Sequence, residues 1–186
     1  ISPYHLEHGG DIVWEIGSGY FGCRTLEGQF DPVKFAEKAK LPQVKMIEIK
    51  LSQGAKPGHG GILPKAKISE EIAQIRGISR EHDCVSPSGH PAFKTPIEMM
   101  NFIQQLRELS EGKPVGFKLC LGQPWQFMSM VKAMLYTKIY PDFIVVDGSE
   151  GGTGAAPIEL IDYMGTPLRE GLLFVHNTFV GAGLRD

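Results

Sequence analysis

The sequence lacks a paired cysteine motif. Cys23, Cys84 and Cys120 are odd in number and far apart. Neither a zinc site nor a disulfide framework is supported, and reduced cytoplasmic thiols are the expectation. An iron–sulfur cluster has no ligand set here either. No HxH or HExxH pattern joins the six histidines, so no metal is expected. Long hydrophobic runs are missing too. Stretches such as Phe143-Ile144-Val145-Val146 are strand-sized, far short of the roughly 18 apolar residues of a membrane span. A membrane partner is not expected, and no signal peptide is read. Neither sign of charge dominates: 19 Lys and Arg face 21 Asp and Glu, a net charge of −2. That balance argues against nucleic acid as the main partner, which needs a basic excess. No repeat, low-complexity tract or Ser/Gly linker divides the chain, so residues 1–186 read as a single domain. The chain opens at Ile1 rather than Met, and its natural N-terminus is expected to lie further upstream.

What is present is the mixture of an ordered globular protein, 42% hydrophobic and 22% charged. Gly (23 residues) and Pro (13) are frequent and imply many tight turns. Short runs rich in branched or aromatic residues alternate with amphipathic stretches. The runs at 45–51, 83–86, 115–121 and 143–147 end in turn residues and read as strands. Helix signals lie between them. Asp31-Pro32 supplies an N-cap and an N1 proline. Ser69 with Gly77 brackets a second helix, and Thr95-Pro96-Ile97-Glu98 is a capping box. The helix it opens places Met99, Phe102, Ile103, Leu106 and Leu109 on one face. Pro124 starts another with Phe127, Val131, Met134 and Leu135 inward. Thr166-Pro167 opens a last one through Leu168, Leu172 and Val175.

The order is β-α-β-α-β-α-β-α, so an α/β fold with a mostly parallel sheet is expected. An open doubly wound sheet and part of a (β/α)8 barrel both fit, with four to five βα units. In either, ligands gather beyond the C-terminal ends of the strands. The residues there are polar and Gly-rich. After the first run come Lys50, Gln53, Gly54, Lys56, Gly58, His59, Gly60 and Gly61, a loop able to bring backbone N–H groups and two lysines to an anion. It is not a Walker A loop. Lys118 interrupts an apolar strand and is expected to reach a ligand site, where it would place charge on an electron-rich cofactor atom. Asp147-Gly-Ser-Glu-Gly-Gly-Thr-Gly154 is a second glycine-rich loop, and its following helix N-terminus could hold an anion or a ring. The histidines read as structural or surface groups, His59 and His90 alone standing on this rim. Cys84 and Cys120 read as buried, unreactive strand thiols.

Ile47-Glu-Ile-Lys-Leu-Ser-Gln-Gly-Ala-Lys-Pro-Gly-His-Gly-Gly-Ile-Leu-Pro64 closely resembles the central motif of the FMN-binding domain of glutamate synthases. Val146-Asp-Gly-Ser-Glu-Gly-Gly-Thr-Gly-Ala-Ala-Pro157 resembles the same domain's later glycine-rich loop. Gly17–Gly22 and Gly183–Asp186 resemble its flanking segments, in the same order and spacing. The short stand-alone glutamate-synthase-like proteins are the nearest in character. The resemblance implies a partial FMN-dependent (β/α)8 barrel, a segment of an oxidoreductase that makes glutamate from 2-oxoglutarate by hydride from FMN. It implies flavin contacts at Gln53, Lys118, Gly151, Gly152 and Thr153, and contacts to a 2-oxo acid at Lys50, Lys56 and Lys67. The family's cluster cysteines, glutaminase nucleophile and late barrel strands have no counterpart here. The chain is therefore expected to be a piece of a longer barrel that binds no FMN alone, with the rest of that barrel as its partner. A non-catalytic fragment that self-associates through open sheet edges is the alternative, and a sugar-phosphate lyase or isomerase a weaker one.

Overall fold

The computed structural model describes residues 1–54, 60–150, 156–161 and 163–186. A short helix α1 (Pro3–Leu6) leads into β1 (Ile12–Ile16), α2 (Pro32–Ala39) and β2 (Val44–Lys50). An excursion follows: β3 (Ile62–Leu63), a 3-10 turn at Lys65–Lys67, α3 (Glu70–Arg76) and β4 (Cys84–Val85). The regular alternation then resumes with α4 (Pro96–Leu109), β5 (Val115–Cys120), α5 (Pro124–Thr137), β6 (Ile144–Asp147) and α6 (Leu168–Gly181).

The helix starts are where local chemistry puts them. The Asp31 carboxylate accepts from Val33 N and Lys34 N at the start of α2. Ser69 accepts from Ile72 N, and α3 ends at Gly77 in the left-handed region (φ 67°). Thr95 and Glu98 exchange both capping-box bonds at α4.

The main sheet runs β1-β2-β5-β6, and every neighbouring pair is parallel. Its strands follow one another in chain order. A doubly wound sheet would reverse direction and carry helices on both faces. Here α2, α4, α5 and α6 contribute to one core against one face. Trp14, Ile16, Ile47, Ile49, Val115, Phe117 and Leu119 supply the sheet side of that core. Phe35, Phe102, Ile103, Leu106, Phe127, Met134 and Val175 supply the helix side. Trp14 stacks on Phe35 with ring centroids 5.3 Å apart. Consecutive parallel strands with helices on the outside form an arc of a (β/α)8 barrel.

Two readings of the sequence need correction. The run at 83–86 is no member of the parallel sheet: Cys84 and Val85 pair antiparallel with Leu63 and Ile62. The place beside β2 goes to β5, whose longer run buries more apolar surface, while Val85 stays 63% exposed. The strand that starts the arc is Ile12–Ile16, a five-residue apolar run broken by Glu15 and left unassigned above. Leu168 and Leu172 fall in α6, where the sequence puts them. They are 43% and 53% exposed, because α6 lies beside β6, the last strand, and only Val175 and Gly171 turn fully inward.

The two faces of the sheet should respond differently to truncation. Phe117→Ala should cost about 3–5 kcal/mol in urea unfolding. Val13→Ala, on the open face, should change stability by no more than about 0.5 kcal/mol.

Candidate functional site

The face turned away from the helices is charged. Side chains alternate along a strand, so Glu15 of β1, Glu48 and Lys50 of β2, Lys118 of β5 and Asp147 of β6 all leave the sheet on this concave side. The register stacks them in tiers: Glu15 lies opposite Glu48, Lys50 opposite Lys118, and Cys120 opposite Asp147. Barrel interiors are usually filled by branched apolar residues, so ion pairs in this position point to a site rather than to packing. The Lys50 Nζ lies 3.0 Å from Glu15 Oε1, and Lys118 Nζ lies 3.7 Å from Asp147 Oδ2. Glu48 accepts no hydrogen bond among the described residues. Partial burial, and then the neighbouring Glu15 charge, push its carboxyl above the usual range, against the pull of Lys118 and Lys50.

The loops beyond the strand ends are tied across the top of β5. Asp147 Oδ2 accepts the Gly54 N–H at 3.0 Å. Ser52 Oγ takes the Cys120 N–H at 3.0 Å and returns a bond to the Cys120 carbonyl. Gly54 is packed against the Gly148 backbone so closely that a Cβ would overlap the Gly148 carbonyl oxygen. The helix N-terminus after the second glycine-rich loop is not free for an outside anion. Both Glu150 carboxylate oxygens accept the Leu168 N–H at 2.9 Å and meet the positive end of α6.

A cavity of about 370 Å³ opens at the ends of β1 and β2. Its walls come from the Gly17-Ser18-Gly19 turn, the strand end Lys50–Gln53, and Gly60, Gly61 and Ser86–Ser88 of the excursion. Ser18 Oγ donates to the Pro87 carbonyl and ties two of these walls together. Arg76, at the end of α3, brings a guanidinium to the same cavity, its carbon 5.0 Å from the centroid of the Phe21 ring.

Lys50 and Gln53 therefore share one cavity, and Lys118 stands in register with Lys50 on the adjoining strand. Lys67 is exposed in the 3-10 turn and does not line the cavity. Lys56, His59, Gly151, Gly152 and Thr153 lie outside the described residues. Arg76 is missed from sequence because it looks like an ordinary last-turn helix cation; only the fold of the excursion carries it to the rim. Glu15 and Glu48 are missed because β1 goes unassigned, so their pairing is invisible. Cys120 is buried, and burial raises its pKa. Cys84 is only half-buried, since its two-residue strand has no core behind it. His90 is buried, not on the open rim. Among the described residues no group of three His, Cys, Asp or Glu side chains is placed to hold a metal ion, and no helix is long and apolar enough to cross a membrane.

The cross-tie of the loops should be sensitive to one methyl group. Gly54→Ala should destabilise the chain by about 1–3 kcal/mol through overpacking, and Gly61→Ala, with open space around it, by much less. Paired urea titrations compare them.

Comparison with known proteins agrees with this architecture. The family described as the conserved region in glutamate synthase matches residues 1–186. The glutamate synthase large subunit-like protein YerD of Bacillus subtilis is 42% identical over all 186 residues, which cover 35% of that protein. The archaeal glutamate synthase [NADPH] of Methanocaldococcus jannaschii is 31% identical over 94% of this chain and 31% of its own length. The chloroplastic ferredoxin-dependent glutamate synthase of Spinacia oleracea is 35% identical over 78% of this chain and 9% of its own. The chain thus spans about a third or less of the relatives it matches, and it belongs to the glutamate synthase family.

Proposed function

We propose that residues 1–186 form one incomplete domain, the part of an FMN-dependent glutamate-synthase-like barrel that carries the 2-oxo acid site and one side of the flavin site. The observation that carries this reading is the tiered row of Lys50 and Lys118 beside a cavity that also holds Gln53 and Arg76. A 2-oxo dicarboxylate needs cations and hydrogen-bond donors at both ends. Lys50 and Arg76 provide two, and Gln53 adds a neutral donor. Lys56 and Lys67 are proposed to add to this field from the adjoining loop and turn.

The donor set also suits FMN. A ring with carbonyl oxygens, which gains negative charge on reduction, is matched by an ammonium on the concave face, Lys118, and an amide in the loop beyond β2, Gln53. Gly151, Gly152 and Thr153 are proposed to complete that side. When bound, FMN supplies the hydride that turns an imine carbon into an amine carbon. The chain's own residues bind and orient: Lys50 and Arg76 hold carboxylates, and Lys118 places fixed positive charge where negative charge develops. The relatives' names speak for glutamate synthesis in those proteins. The remaining strands of the parent barrel are the partner this reading requires.

Isothermal titration of 2-oxoglutarate into the parent protein tests the substrate half of the reading. Lys50→Ala and Arg76→Ala should each weaken binding about 10- to 100-fold, the usual loss of a hydrogen bond to a charged group. Affinity unchanged in both variants would remove the cavity from the proposal.

A further inference from the structure

His90 joins three parts of the rim. Its Nε2 lies 2.9 Å from the Lys50 carbonyl oxygen, and its Nδ1 lies 3.1 Å from the Tyr20 hydroxyl. The ring stacks on Phe93, centroids 5.0 Å apart and planes 13° apart. Of the two neutral tautomers only one serves all these contacts. A carbonyl can only accept, so Nε2 carries the hydrogen. Nδ1 is then the acceptor and the Tyr20 O–H donates to it. The Tyr20 oxygen in turn accepts the Ala92 N–H at 3.3 Å. Tyr20 is wholly buried, and its backbone is in the left-handed region (φ 48°), an unfavourable state for a residue with a large side chain. Burial also raises its hydroxyl to about 12, so it keeps its proton throughout the neutral range.

The Lys50 carbonyl is a special group. Ile47 N and Leu51 N both donate to β5-side carbonyls, Pro114 and Lys118. The alternate residue Lys50 therefore turns its own peptide groups toward β1. The β1 ladder ends at Ile16, opposite Ile49, and the chain turns away at Gly17. The Lys50 carbonyl would be left without the next rung, and an unpaired backbone carbonyl at a sheet end costs free energy. The imidazole supplies that rung. At the other end of the residue, the ammonium is held 3.0 Å from Glu15. Lys50 is fixed at both backbone and side chain.

We propose that His90, as the neutral Nε2–H tautomer oriented by Tyr20, is a positioning residue that extends the sheet by one hydrogen bond and sets the direction of Lys50 into the cavity. The consequence for substrate rests on the 2-oxo acid reading above; the tautomer and the bond to Lys50 do not. The groups around the ring are the Tyr20 hydroxyl on the β1 turn, the Lys50 end of β2 and, across the neighbouring cavity at the start of α4, Lys94. No carboxylate bonds to the ring among the described residues, and burial lowers its basicity below the ordinary 6.5. The sign follows. Above pH 6.5 the imidazole is neutral and the network is intact. As pH falls below that value, opened forms take the proton first, and an imidazolium carries Nδ1–H where the Tyr20 O–H had its acceptor, so the buried hydroxyl must turn away and its own proton loses its partner. The arrangement loosens on the acid side only.

Two readouts separate this proposal from the substrate reading. In the 186-residue chain without ligand, long-range 15N–1H spectra of His90 should show a hydrogen on Nε2 and a bare Nδ1 at pH 7.5. The 13C shift of the Lys50 carbonyl should move with the His90 titration, and Tyr20→Phe should raise the population of the other tautomer. A hydrogen on Nδ1, or a Lys50 carbonyl indifferent to His90, would overturn the proposal whether or not 2-oxoglutarate binds. In the parent protein, 2-oxoglutarate affinity should fall at least 5-fold between pH 7.5 and 5.5. His90→Gln, an amide that cannot be protonated, should flatten that dependence, while His90→Phe should lower affinity at both pH values. A pH dependence unchanged in His90→Gln, with the wild type binding normally, would equally overturn it.

Discussion

A parallel sheet whose helices cover only one face cannot hide its other face in the same way, and this constraint shapes the whole molecule. The covered side takes the branched and aromatic residues: Ile47, Ile49, Phe117 and Leu119 are buried against α2, α4, α5 and α6. The other side is left for residues that tolerate an open or aqueous lumen. Because alternation along a strand is strict, the same short runs that build the core must also deliver Glu15, Glu48, Lys50, Lys118 and Asp147 to the concave face. Fold and site are two faces of one pattern.

The tiers on that face explain how opposite charges coexist at close range. Lys50 is matched by Glu15 and Lys118 by Asp147, so each cation has a partner while it still faces open space. Such half-exposed pairs contribute little to stability. Their value is positional: a carboxylate that holds a lysine head also fixes where the charge points. Asp147 does a second task by accepting the Gly54 N–H, which ties the β2 loop to the end of β6. Glu48, without a hydrogen-bond partner among the described residues, carries a charge that partial burial and then the neighbouring Glu15 carboxylate disfavour. A substrate or a neighbouring strand that brings a donor into the lumen would relieve it.

The helices were legible in the sequence because their signals are local. Asp31, Ser69 and Thr95 cap helices within three residues of themselves, and Gly77 ends one through its own backbone. That the Lys118 side chain leaves the sheet away from the core was legible because a lysine inside an apolar strand has few places to go. The pairing of Cys84–Val85 was not legible, since a pair of apolar residues between Asp83 and Ser86 looks alike in a parallel sheet and in a two-residue antiparallel pairing with a distant segment. Arg76 and His90 were hidden for a related reason. Their roles depend on where the excursion between β2 and α4 folds back, and that is settled by contacts between residues 40 to 70 apart in the chain, such as His90 with Tyr20 and Lys50.

The central claim is that the concave face presents Lys118 to a flavin. The most direct test is the visible spectrum and flavin content of the purified parent protein, taken for the wild type and for Lys118→Ala after free FMN is removed. The account predicts a yellow wild type with about one FMN per chain. It predicts that Lys118→Ala either loses the flavin or retains it with a lower reduction potential, because reduction then lacks its neighbouring cation. A Lys118→Ala protein with full flavin content and an unchanged potential would contradict it.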